Sequence, residues 1–139
     1  MKYKFWNIEL DGPDKVGKST LGQYLTLLSN YRFAMHDRGY MTQVAYAKKF
    51  NRQFEYSEPD RNTIYILLTV EPEEHAIRCK IHNEPKIDYE KDAELFKEVF
   101  YDLSSKGYLT MTFNTSHMST YELAKEIIKR IDRLEALND

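Results

Sequence analysis

Apolar positions along the chain switch between two spacings, and the switches mark the elements. Tyr3 to Leu10 is rich in strand formers and runs into Asp11. Beyond a short glycine-containing stretch, Leu21, Leu25 and Leu28 fall at i, i+4 and i+7, which predicts a helix over about Lys18–Ser29. Tyr31 to His36 reads as a short second strand leading into Asp37-Arg38-Gly39-Tyr40, followed by a helix from about Thr42 to Phe50. The stretch 51–62 has no period and is read as a connection. Thr63 to Val70 is nearly all apolar, as expected of a central parallel strand covered on both faces.

The second half continues the alternation. Glu71-Pro72-Glu73-Glu74 opens a helix, with proline in its first turn and carboxylates at its positive end, and Pro85 predicts that it has stopped. Leu95, Phe96, Val99, Phe100 and Leu103 give a helix over about Tyr89–Leu103, with Gly107 suited to its stop. Tyr108 to Asn114 alternates, with Leu109, Met111 and Phe113 on one face, and predicts an edge strand. Ser119-Thr120-Tyr121-Glu122 is a capping box that starts a last helix striped by Leu123, Ile127, Ile131 and Leu134. Strands alternating with helices predict an α/β domain: a mostly parallel sheet of about four strands with helices on both faces.

Composition narrows the class. The 139 residues are 42% hydrophobic and 30% charged, which suits one folded domain spanning 1–139 with a single core. A formal net charge of −2 exerts no general pull on nucleic acid, although a local basic groove at Lys48, Lys49 and Arg52 stays open. No apolar run approaches a membrane span and the start lacks a signal-peptide layout, so a cytoplasmic protein is expected. The single cysteine, Cys79, excludes an internal disulfide, and no Cys/His spacing suits structural zinc. Cys79, His36, His75, His82 and His117 do not cluster along the sequence and are read as structural or surface residues.

The chemistry is concentrated in Gly12-Pro13-Asp14-Lys15-Val16-Gly17-Lys18-Ser19-Thr20, which fits G-x-x-x-x-G-K-[ST] at every fixed position. Glycines let the backbone curl so that successive N–H groups point at an anion. A lysine at the position of Lys18 reaches the β- and γ-phosphates, and a hydroxyl at Ser19 can ligate Mg²⁺. The motif follows a strand and opens a helix, as its mechanism requires. These residues predict a P-loop NTPase fold that binds ATP with Mg²⁺. In such open sheets ligands sit beyond the carboxyl ends of the strands, which places Asp37 and Arg38 beside the loop.

With these residues in view, the chain resembles the thymidylate kinases. Leu10-Asp11-Gly12-Pro13-Asp14-Lys15-Val16-Gly17-Lys18-Ser19-Thr20 is similar to that family's phosphate loop, with acidic residues before and two positions after the first glycine. Asp37-Arg38-Gly39-Tyr40-Met41-Thr42-Gln43-Val44-Ala45-Tyr46 is similar to its D-R-[YH]-x-x-S-x-x-A-[YF] segment, and Glu71-Pro72-Glu73-Glu74 with Arg78 to the start of its lid. The resemblance implies transfer of the γ-phosphoryl group of ATP to a deoxynucleoside monophosphate. It assigns Asp14 to the acceptor's 3′-hydroxyl, Lys15 to the moving phosphoryl group and Arg38 to the acceptor phosphate. Asp37 would hold a Mg²⁺-bound water or orient the acceptor, Thr42 and Tyr46 would touch base or sugar (for Tyr46 a helix-packing role is an equal reading), and Arg78 would neutralise phosphate from the lid. The family's dimers imply a homodimer.

The departures are as specific. Thymidylate kinases are longer and carry another strand and helices between the first helix and the D-R strand. Here only about Ser29 to Tyr31 stands in that place, Gly39 replaces an aromatic residue or histidine, and Thr42 replaces serine. Two alternatives therefore stand: a kinase acting on a hydroxyl of a polynucleotide or modified base, and a non-catalytic nucleotide-binding protein. An N-K-x-D guanine reader is missing from the sequence, which argues against a GTPase switch.

Overall fold

The structure, a computed structural model, describes residues 6–13, 16–53, 58–81 and 89–137, with the side chain of Asp37 left aside. Four parallel strands lie in the order β2-β1-β3-β4: β1 (Trp6–Asp11), β2 (Phe33–Asp37), β3 (Thr63–Thr69) and β4 (Leu109–Asn114). The helices are α1 (Lys18–Leu28), α2 (Tyr40–Lys49), α3 (Pro72–Ile81), α4 (Tyr89–Ser105) and α5 (Thr120–Leu137). This is a single-domain α/β architecture, a four-stranded parallel sheet flanked by helices. Among the described residues, no helix is long and apolar enough to cross a membrane.

The sheet divides the interior into two cores. Ile8 and Leu10 of β1 and Ile64, Ile66 and Leu68 of β3 pack against α1 and α5 through Leu21, Leu25, Ile127 and Ile131. The alternate residues of β3, Tyr65 and Leu67, meet Met41, Val44 and Ala45 of α2 and Phe96, Val99 and Leu103 of α4. That is the period-two consequence of a strand covered on both sides, and it explains why Thr63 to Val70 reads as one apolar run.

Several boundaries differ from the sequence expectation. The second strand begins at Phe33 rather than Tyr31, because Asn30 (φ 56°) and Tyr31 (φ 62°) form a left-handed turn that ends α1. Tyr31 is 66% exposed there. Helix α2 starts at Tyr40, two residues early, for a reason given below. The expected stripe of α5 is interrupted: Leu123, Ile127 and Ile131 are buried, but Glu135 rather than Leu134 completes the buried face. Its carboxylate accepts a 2.8 Å hydrogen bond from Trp6 Nε1 and pairs with Arg32. His75 and Cys79, expected to stand apart, lie one turn apart on α3, both buried, with Sγ 3.8 Å from His75 Nδ1. His82, Pro85, and the start of the first strand at Tyr3 fall outside the described residues.

Candidate functional site

The phosphate loop joins β1 to α1, and its described part has the backbone that the motif demands. Gly12 has φ 153°, and a Cβ on it would lie 2.4 Å from the Leu68 carbonyl oxygen of β3, so the loop can cross β3 only with glycine at that position. Gly17 is left-handed (φ 91°, ψ 22°) at the N-cap of α1. Val16, between them, is fully buried and anchors the loop in the first core. Ser19 and Thr20 are exposed in the first helical turn. Asp14 and Lys15 fall outside the described residues.

Two features leave this helix end open to an anion. No side chain caps it, and no acidic residue sits in its first turn. Among the described residues, the partial positive charge of the helix end therefore has no carboxylate of its own first turn set against it. Lys18 Nζ donates to the carbonyls of Gly12 (2.6 Å) and Pro13 (3.3 Å), which holds the ammonium across the loop rather than out in solvent.

The D-R segment arrives at the same sheet end through strand pairing. Asp37 lies opposite Leu10 in the β1–β2 register, and the Arg38 amide donates to the Leu10 carbonyl at 3.3 Å. Arg38 is exposed and takes a left-handed backbone (φ 57°). The strand pairing thus sets the backbone of Asp37 and Arg38 one strand away from the end of β1. The hydroxyl of Ser19 and a carboxylate are hard oxygen donors of the kind Mg²⁺ takes together with nucleotide phosphates, and Ser19 is exposed beside the uncapped helix end, so the residues present fit that ion. Among the described residues no three metal-ligating side chains gather, so the phosphates would complete the coordination.

Asp11, directly before Gly12, is fully buried. Its Oδ1 accepts from the Thr42 hydroxyl (2.5 Å) and amide (3.1 Å), while Oδ2 has no hydrogen-bond partner. Burial pushes the Asp11 carboxyl up to about 6, against the downward pull of the two Thr42 bonds. This corrects the reading of Thr42 as a contact to base or sugar: it is buried and its hydroxyl is given to Asp11. Tyr46 likewise turns toward the second core, edge-on to Phe96 with centroids 6.0 Å apart, so its ring is part of the α2–α4 packing. The sequence pattern signals Asp11 only as the acidic residue before the loop and gives no hint of its partner.

Arg78 closes the other side of the loop. Its guanidinium donates to Thr115 Oγ1 (3.2 Å) and the Thr115 carbonyl (3.1 Å) and pairs with Glu74 (3.2 Å). Together with Gly17, Thr20, Thr115, Met118 and Thr120 it walls a cavity of about 370 Å³ that opens beside the start of α1. A second cavity of about 510 Å³, polar and rimmed by Glu9, Arg38, Tyr40, Gln43 and Asp60, lies on the α2 face of the sheet. The basic residues weighed for a nucleic-acid backbone are engaged with the protein: Lys49 pairs with buried Asp92 at 2.8 Å, and Arg52 lies over the Phe50 ring.

Neither a protein-family model nor a curated protein matches the sequence. Among solved structures the chain is similar to the YorR protein of Bacillus subtilis, determined in complex with phosphorylated GDP, at 21% identity and a TM-score of 0.77. The likeness covers 94% of this chain and 98% of that one, and it establishes the fold.

Proposed function

We propose that the chain is a nucleotide kinase, passing the γ-phosphoryl group of ATP to a deoxynucleoside monophosphate of the thymidylate class or a close relative. One observation carries the reading: an uncapped, glycine-formed phosphate loop and an Asp-Arg arm on the neighbouring strand meet at one end of a parallel sheet. A loop alone would suit any nucleotide binder. A second cationic arm beside it suits a second phosphorylated substrate. That the similar YorR protein was determined with a phosphorylated guanine nucleotide supports nucleotide binding at such a fold.

In this reading the cavity bounded by Arg78, Thr115 and Thr120 takes the donor's base, since it adjoins the start of α1 where the phosphates would lie. Lys18 follows charge from the γ-phosphate to the β–γ bridging oxygen as that bond breaks. Arg38, whose planar fork matches a phosphate, holds the acceptor so that its own phosphate oxygen attacks phosphorus in line. The new P–O bond forms as the bond to ADP breaks, and ADP leaves with the electron pair. Bound Mg²⁺, held by Ser19 and through Asp37, would supply charge neutralisation at the β- and γ-oxygens. Asp14 and Lys15 are proposed beside the acceptor sugar and the moving group.

The test is a coupled ADP-release assay with ATP and a panel of dTMP, dGMP, dCMP and dAMP, alongside Mg·ATP binding by calorimetry. Lys18→Ala is expected to abolish turnover and weaken Mg·ATP binding by more than tenfold. Intact ATP binding without transfer to any acceptor on the panel would refute the kinase reading and leave a nucleotide-binding protein.

A further inference from the structure

The head of α2 is tied to the phosphate-loop strand by a regular pattern. Leu10 accepts through its carbonyl from the Arg38 amide (3.3 Å), Glu9 Oε1 from the Tyr40 amide (2.6 Å), and Asp11 Oδ1 from the Thr42 amide (3.1 Å) and hydroxyl (2.5 Å). Three consecutive residues of β1 thus hold three alternate positions of the arm. The residue at the helix's own N-cap is Gly39, which has no side chain to offer. A Cβ there would lie 1.9 Å from Glu9 Oε1, so a side chain at this position would push the Glu9 carboxylate aside. The cap that α2 lacks locally is supplied by two carboxylates from 31 positions upstream.

This arrangement has a mechanical meaning. Asp11 adjoins Gly12, so the bonds that start α2 and the turn that starts the phosphate loop are set by neighbouring residues of one strand. Charged acceptors at a helix N-terminus make strong bonds. The Asp-Arg arm cannot move relative to the loop without breaking them.

We propose that Glu9 and Asp11 are positioning residues for phosphoryl transfer: from β1 they fix the head of α2, and with it Arg38, at the spacing from the phosphate loop that in-line attack requires. The inference rests on the kinase reading above. In-line transfer is sensitive to this spacing, since a misplacement of about 1 Å can cost on the order of a hundredfold in rate.

The experiment uses the full chain and compares wild type with Thr42→Val, Thr42→Ser and Gly39→Ala. Thr42→Val keeps the shape and the amide but removes the hydroxyl donor. Gly39→Ala displaces Glu9. With ATP as donor and dTMP or dGMP as acceptor, Thr42→Val and Gly39→Ala should lower kcat or raise the acceptor KM by roughly tenfold or more. Mg·ADP affinity by calorimetry should change by less than about twofold, and Thr42→Ser should restore the wild-type values. Equal losses on the donor and acceptor sides, or no change in either, would overturn the proposal. Amide hydrogen exchange reads the coupling without turnover: Thr42→Val should speed exchange at Tyr40–Thr42 and leave β3 untouched. Unchanged exchange there overturns the coupling, whereas faster exchange in a chain that transfers to no acceptor leaves the coupling standing and refutes the kinase reading.

Discussion

The buried carboxyl of Asp11 should make the stability of this protein fall as pH rises through the mildly acidic range. Burial raises its pKa from an ordinary 3.8 to about 6; the Thr42 bonds oppose the rise, and nearby Glu9 adds to it. Below the unfolded value both states hold the proton. Between the two values the native state keeps a proton that the unfolded chain has lost, so stability drops with increasing pH. A gap of about two units amounts to ~3 kcal/mol in total, of which ~1.4 kcal/mol lies between pH 5 and 7.5. The clean comparison is Asp11→Asn, which cannot ionise. Urea denaturation of both proteins from pH 4 to 8 gives the difference in unfolding free energy at each pH, which cancels the titration of every other group. Wild type should lose about 1.4 kcal/mol relative to the variant between pH 5 and 7.5, whatever the offset between them at the start. Differences constant to within ~0.5 kcal/mol, or a wild type that gains with pH, would refute the argument that Asp11 is held in a desolvated site.

Two further outcomes follow from contacts outside the helix caps. Gly12→Ala sets a Cβ against the Leu68 carbonyl at 2.4 Å, in a backbone conformation that alanine disfavours, and should lower stability by more than ~2 kcal/mol in urea denaturation. Arg32→Met removes the ion partner of Glu135, which is only 4% exposed, and should cost roughly 3–5 kcal/mol. Adding Glu135→Gln to Arg32→Met should recover much of that loss, because the uncompensated charge is then gone; no recovery by thermal unfolding would mean that packing, not charge, is at stake.

What could be read from the sequence was what depends on near neighbours. The phosphate loop is legible because its backbone angles are set by glycines within the motif, and Thr63 to Val70 because burial on both faces leaves no charged position in the run. The capping box is equally local, and the Glu122 amide does donate to Ser119 Oγ at 3.1 Å. The errors fall where a distant residue decides. Tyr31 has a strand former's side chain, but it sits in a left-handed turn imposed by the end of α1. Leu134 continues the apolar spacing of α5, but Glu135 takes the buried place because Trp6 and Arg32, more than a hundred positions away, are brought to its carboxylate. Thr42 matches a substrate-binding pattern, yet its hydroxyl is taken by Asp11 from a strand 31 positions upstream, while Tyr46 takes the packing role that is its other reading.

The two helices beginning at this end of the sheet differ in what satisfies their N-termini. Both α1 and α2 start after a glycine, and neither has a side chain of its own as a cap. Two equal, open helix ends would both attract phosphate and give a nucleotide two registers in which to settle. The acids of β1 break the symmetry. Glu9 and Asp11 satisfy the amides of Tyr40 and Thr42, so the positive end of α2 is already occupied by carboxylate. At α1 the first turn carries no acid, and the ammonium of Lys18 is held over the loop carbonyls. In the proposed reading the donor's phosphates meet the uncapped end of α1, while the acceptor's phosphate is held by the Arg38 side chain rather than by the end of α2, a division set by which residues of a single strand point to which side of the sheet. Alternation along β1 sends Leu10 to the α1 core and Glu9 and Asp11 to α2, so the period-two pattern that builds the sheet also decides which helix end is capped by carboxylates.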